Sequence, residues 1–334
     1  MDKLDARLTS TEIGSLWLGY MNDSLVVCAL QYFSEKVKDQ DIRPIVEFAL
    51  SLSQQHVQAI AQILKNEDFA VPVGYSNVDV DLQAPPLFSD TFYLRYLKHL
   101  SAAVMAAYSL GLSQAVRSDV RSYFWHCIDS SKELDEKVTQ ALLSKGLHIR
   151  APYIPIAKQA QFVESPTFIG SILGKNRPLN AMELTHLVAN ISNNAMGRVM
   201  LLGFAQVANS QDIREFFVRG QNISRKHIEV LSMLLKNDDL PAPVTWESEA
   251  TDSTIAPFSD KLMMQQVVSL TALSMTNYGA ALGASTRVDV AADYSRLMTE
   301  IAAYGEDGAQ LMIKYGWLEQ PPQAVDRKEL ALSR

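Results

Sequence analysis

The feature that most constrains this chain is that it is written twice. Shifted by 171 residues along itself, Glu12 falls on Glu183, Asn22 on Asn193 and His56 on His227. Asp41-Ile42-Arg43 falls on Asp212-Ile213-Arg214, and Leu64-Lys65-Asn66 on Leu235-Lys236-Asn237. One deletion later the shift is 170. Phe88-Ser89-Asp90 then falls on Phe258-Ser259-Asp260, Tyr108 on Tyr278, Arg117 on Arg287 and Gly146 on Gly316. A register kept over about 140 residues is a duplication, and its period is far above the roughly 20–50 residues of stacking repeats. Each copy also tests the other. A feature present in both is architectural or a shared function; a feature present in one is suspect.

Each copy carries four segments with apolar residues at three- and four-residue spacing, the mark of amphipathic helices. The first runs from a cap at Thr9 or Ser10 to about Val37, the second from about Asp41 to Asn66, with Pro44 in its first turn. The third runs from about Ser89 to Ala115, and the fourth ends at Gly146, a C-cap glycine. The second copy repeats them near 180–208, 211–237, 259–285 and 287–315.

The connections decide the topology. Segments one and two, and segments three and four, are joined by short breaks and form antiparallel hairpins. Between two and three lie about 20 residues containing Pro72, Pro85 and Pro86, matched by Pro241, Pro243 and Pro257. A 20-residue chain can reach roughly 65 Å, more than the roughly 40 Å of a 27-residue helix. One long crossover between two hairpins is the ferritin-like arrangement. The expected fold is all-α: two tandem ferritin-like four-helix bundles, each with a long crossover between helices two and three. The expected domains are 1–150 and 179–334, joined at 151–178 by a connector whose prolines, glycines and intervening apolar residues read as irregular and partly packed rather than solvated.

Composition excludes some partners. With 30 Lys and Arg against 37 Asp and Glu, the net charge of −7 disfavours nucleic acid, which calls for a basic face. No run approaches 18 uninterrupted apolar residues, so no membrane span is expected. The opening Met1-Asp2-Lys3-Leu4-Asp5-Ala6-Arg7 does not read as a secretory leader. Two cysteines, Cys28 and Cys127, fit a reducing compartment, and the expected location is the cytoplasm.

A ferritin-like bundle invites a search for a di-metal centre, which needs carboxylates and paired Glu-x-x-His motifs. Helix two carries Ser53-x-x-His56 and Ser224-x-x-His227: the histidine stands in both copies and the glutamate is serine. Helix four offers Asp129, Glu133 and Glu136 in one copy and Glu300, Glu306 and Asp307 in the other, and of these only Glu136 and Glu306 correspond. Levelled from the first hairpin turn, Asn22, His56 and Tyr108 share one mid-height layer, repeated by Asn193, His227 and Tyr278. Such a layer suits an internal hydrogen-bond network. A small-ligand pocket, or a metal site using His56 with Glu136 and His227 with Glu306, stays open; no cofactor is expected. Glu12 and Glu183 stand at capping-box spacing from Thr9 and Asn180. Arg117 with Asp119, and Arg287 with Asp289, stand at a helix turn. No Gly-rich phosphate loop, Gly-x-Ser-x-Gly elbow or Cys-x-x-Cys occurs, so an enzyme is not the expectation.

The doubled bundle, His56 and His227, the proline-rich crossover with Phe-Ser-Asp, and Asn176-Arg177-Pro178-Leu179 together resemble a tandem ferritin-like family of spore-forming bacilli. That family is known only as a domain of unknown function and is similar to the spore coat F proteins. The resemblance implies the fold and a link to spores; it carries over no catalytic residue. The function expected is a non-enzymatic structural or interaction protein with unknown protein partners. The alternatives are a degenerate metal-binding or oxidase-like protein and a binder of a small apolar ligand.

Overall fold

The computed structural model describes residues 7–172, 174, 176–243 and 246–332. Residues 1–6, on which most of the leader argument rests, lie outside them. The first copy contains α1 (Ser10–Lys36), α2 (Arg43–Lys65), α3 (Asp90–Gln114) and α4 (Ser118–Ser144). The second contains α5 (Ala181–Val207), α6 (Gln211–Lys236), α7 (Asp260–Ala284) and α8 (Val288–Lys314), followed by a short α9 (Arg327–Leu332).

Local chemistry sets the ends. Thr9 and Asn180 form capping boxes with Glu12 and Glu183. Ser89 and Ser259 accept from the amides of Phe92 and Leu262, both at 3.1 Å, and start α3 and α7. Gly146 and Gly316, at φ of +66° and +68°, turn the chain out of α4 and α8, a conformation that costs glycine little.

The start of α3 lies at the α1–α2 turn, where Asp90 accepts from the amides of Lys38 and Asp39 at 2.9 and 2.7 Å. The end of α2 lies at the other end of the bundle, where Glu67 pairs with Arg117 at the start of α4. The crossover therefore travels the length of the bundle. Asp260, with the amides of Asn209 and Ser210, and Asp238, with Arg287, repeat this in the second copy. The fold is all-α, two tandem ferritin-like four-helix bundles.

The crossovers also join the copies. They pair antiparallel at Val80 with Phe258 and at Phe88 with Ala250. The amides of Asp81, Ser259, Ser89 and Thr251 donate across the pair to Pro257, Asp79, Glu249 and Leu87. Each Phe-Ser-Asp places its ring in the other copy. Phe88 packs on Phe204 with ring centres 6.2 Å apart, and Phe258 meets Tyr32 edge-on at 5.2 Å. Gly203 makes room: a Cβ there would stand 2.6 Å from the Phe88 ring. Arg95 of α3 stacks 4.2 Å from the Trp246 ring and pairs with Glu249 at 3.1 Å. The main apolar core is thus continuous through both copies, and a smaller cluster around Leu16, Ile60 and Phe124 fills the far end of the first bundle.

By length and composition alone α1 could cross a membrane, because its best 18-residue window has a mean hydropathy of 1.3. Scattered polar residues break the uninterrupted run without lowering the average. Half of that window is buried inside this bundle.

Candidate functional site

The strongest buried electrostatics lie at the α3–α4 and α7–α8 turns. Glu12, 1% exposed, accepts from the amides of Thr9, Val116 and Arg117 at 2.8, 3.0 and 2.9 Å. The capping residue of one helix therefore also holds the start of another. Glu183, fully buried, does the same for Thr286 and Arg287 and adds a two-pronged bond with Arg177 at 2.8 and 2.9 Å. Burial pushes the Glu183 carboxyl up, but Arg177 and the amides of Asn180 and Arg287 outweigh it and hold it at about 2. Arg287 in turn pairs with Asp238 and Asp289. These groups seal helix ends.

At mid-height each copy holds a chain of polar side chains, and the two chains run in opposite directions. In the first copy the Tyr108 hydroxyl donates to Asp23 at 3.2 Å and lies 3.2 Å from Nδ1 of His56. A hydroxyl has one proton, and a carboxylate can only accept. With that proton on the Asp23 side, His56 must donate from Nδ1, which in the neutral tautomer makes Nε2 the acceptor. Nε2 is buried and has no hydrogen-bond partner among the described residues.

In the second copy Asn194 stands where Asp23 stands. Its amide donates to the Tyr278 hydroxyl at 2.7 Å. Tyr278 then donates to Nδ1 of His227 at 2.9 Å, and Nε2–H of His227 faces Glu300 at 3.2 Å. Exchanging an acceptor for a donor at one position reverses the chain and selects the other tautomer. Burial lowers the His227 pKa although Glu300 opposes it, which keeps the ring neutral near pH 7.

His56, His227, Tyr108 and Tyr278 stand in the layer. Asn22 and Asn193 do not: their neighbours Asp23 and Asn194 hold those places, and Asn193 instead contacts His99 across the copies at 2.8 Å. Levelling fixes height along a helix but not its face, and one residue turns the face by about 100°. Glu136 and Glu306 are also displaced. Both are exposed and accept from Gln140 and Gln310, one turn on in their own helices. The carboxylate that reaches a histidine on the last helix is Glu300, whose first-copy counterpart is Ser130.

The residues do not fit a di-metal carboxylate centre. Each layer offers one histidine and one carboxylate, Ser53 and Ser224 stand where Glu-x-x-His needs glutamate, and among the described residues no carboxylate is placed to bridge two ions. Among the described residues no group of three or more His, Cys, Asp and Glu could hold a metal ion. Cys28 and Cys127 are buried, which pushes both thiols up to about 12. The second bundle has a cavity of about 50 Å³ beside Gly197, Ser224 and Ser274. That is well below the roughly 300–1,000 Å³ of a typical ligand pocket. The first-copy counterparts of Gly197 and Ser274 are the bulkier Val26 and Val104.

The connector is the part that sequence reasoning undervalued. From residue 148 to residue 164 no backbone–backbone hydrogen bond is made among the described residues. Tyr153, Ile156 and Phe162 are 84, 93 and 94% exposed, with Ile154 and Val163 also outward. The apolar content of this stretch was readable; its exposure was not, because apolar residues between prolines read equally well as packed.

Comparison with known proteins agrees with the duplication. The model of the family described as a protein of unknown function, DUF3231, matches residues 1–159 and again residues 167–330. A crystal structure from Bacillus halodurans, provisionally described as a spore coat protein, is similar at 19% identity and a TM-score of 0.42. It covers 45% of this chain and 98% of its own. No curated protein matches. With nearly its whole length matched in two successive copies, the chain belongs to the DUF3231 family of proteins of unknown function.

Proposed function

We propose that this protein is a non-enzymatic helical scaffold that works by binding other proteins through its connector. The supporting observation is the connector itself. It presents Tyr153, Ile156 and Phe162 almost fully to solvent on a stretch that makes no backbone–backbone hydrogen bond among the described residues. Large apolar side chains exposed together in one segment are a feature of interaction sites, and an extended segment can add main-chain hydrogen bonds to a partner. The paired crossovers would hold both ends of the connector on one rigid body. We place the protein in the cytoplasm with a spore association; the latter rests on the resemblance of the sequence.

Site-specific photo-crosslinking in cells tests this reading. A photoreactive residue at position 156 or 162 should give one dominant cross-linked protein. The same group at exposed Glu133 on α4 should not. Equal yields at all three positions, or cross-links only within the chain, would count against the connector.

A further inference from the structure

An endopeptidase holds its substrate extended, over several residues on each side of the bond it cuts. A helix must unwind before it can be held that way, whereas an exposed segment without main-chain hydrogen bonds is ready. Residues 148 to 164 are such a segment among the described residues. Side chains add selectivity. Among the described residues, the Phe, Tyr and Trp rings more than half exposed are Trp125, Tyr153 and Phe162, at 54, 84 and 94%. Trp125 lies inside α4, where the helix protects its peptide bonds. Tyr153 and Phe162 both lie in the connector.

We propose that the connector is a cleavage site for an endopeptidase that selects an aromatic residue, at the Tyr153–Ile154 or the Phe162–Val163 bond, and that the cut protein persists as a two-chain complex of its halves. Water adds across one peptide bond, leaving a new carboxylate on the first half and a new amine on the second. The halves stay together because the contacts between them lie outside the connector. The crossovers exchange four main-chain hydrogen bonds. The rings of Phe88 and Phe258 are each seated in the other copy. The exit of each last helix also reaches the opposite crossover. Glu319, after α8, accepts from the amides of Val73 and Gly74 at 2.9 and 3.1 Å. Leu147 and Ile149, after α4, line one cleft with Pro241 and Trp246. None of these contacts needs the bonds between residues 153 and 163. Cleavage frees an end on each side of the cut without loosening the body that carries it. This holds whether or not the connector binds a partner.

Limited digestion of the native full chain with chymotrypsin, read by intact-mass spectrometry, tests the site. The first cut is expected after Tyr153 or Phe162, about a hundredfold or more faster than at any bond inside α1 to α8. The digest should elute from a sizing column at the volume of the intact chain, and denaturant should be needed to part the fragments. Its melting temperature should fall on dilution, as for any two-chain assembly, while that of the uncut chain stays in place. Replacing both rings, Tyr153→Ser with Phe162→Ser, should slow chymotrypsin about tenfold and leave trypsin cutting at exposed Lys158. A first cut inside a helix or a crossover would overturn the site. Chymotrypsin acting undiminished on the double variant would overturn its selectivity. Fragments that part in native buffer would overturn the two-chain product.

Discussion

Replacing Phe88 by alanine is expected to destabilise the whole chain by about 3–5 kcal/mol, the usual cost of removing a fully packed phenylalanine. Phe88 is 2% exposed, stacks on Phe92 with ring centres 4.1 Å apart, and fills the space over Gly203 in the other copy. Its truncation opens a cavity whose walls belong to both bundles. A glycine in a helix cannot swing a side chain in to fill it. Phe258→Ala should behave similarly, since its ring packs against Tyr32 and Phe204. Urea denaturation should show each midpoint lowered with an unchanged slope, one transition in each case. A loss below about 1 kcal/mol, set against that 3–5 kcal/mol expectation, would mean that the crossover rings are not part of a shared core.

The second large effect is expected at Glu183. Removing one partner of a buried ion pair costs about 3–5 kcal/mol, because the remaining charge loses its compensation. Glu183→Ala leaves the Arg177 guanidinium, 15% exposed, and the amides of Thr286 and Arg287 without their acceptor. Glu12→Ala should cost less, about 1–3 kcal/mol, since Glu12 binds amides and the Thr9 hydroxyl but no guanidinium among the described residues. The pH dependence follows from the depressed pKa. Glu183 would titrate near 4.5 in the unfolded chain and does so at about 2 in the folded one. Its contribution is complete above about pH 4.5 and is lost as the pH falls towards 2. The stability of Glu183→Ala should therefore fall less steeply with acid than that of the wild type. Parallel acid limbs in the two proteins would contradict this assignment.

Most of the fold is legible in the sequence because duplication and periodicity are long-range signals. Helix ends were fixed within a residue or two by Thr9, Ser89, Gly146 and their repeats. What the crossovers do beyond spanning a bundle was not legible. Loop length shows that a chain can travel but not what it touches, so the shared Phe-Ser-Asp read as a helix start and not as a bridge between copies. At the mid-height layer the histidines and tyrosines were found because they match. Asp23 and Asn194 were missed because they do not match as letters, and that difference reverses the hydrogen-bond chain. Glu300 has no counterpart in the first copy, where Ser130 stands, so matching between copies identifies architecture but not chemistry in which the copies have diverged. Exposure along the connector is a tertiary property, and no local pattern records it.

The central claim is that two bundles joined into one cooperative body hold out an accessible apolar segment between residues 153 and 163. Hydrogen exchange of the full chain, followed by mass spectrometry, tests all of it at once. Amides in the interiors of α1 to α8 should exchange with one common opening free energy, set by global unfolding. Amides from residue 150 to residue 164 should exchange at nearly the unprotected rate. Separate opening energies for the two bundles, or slow exchange through the connector, would contradict the account.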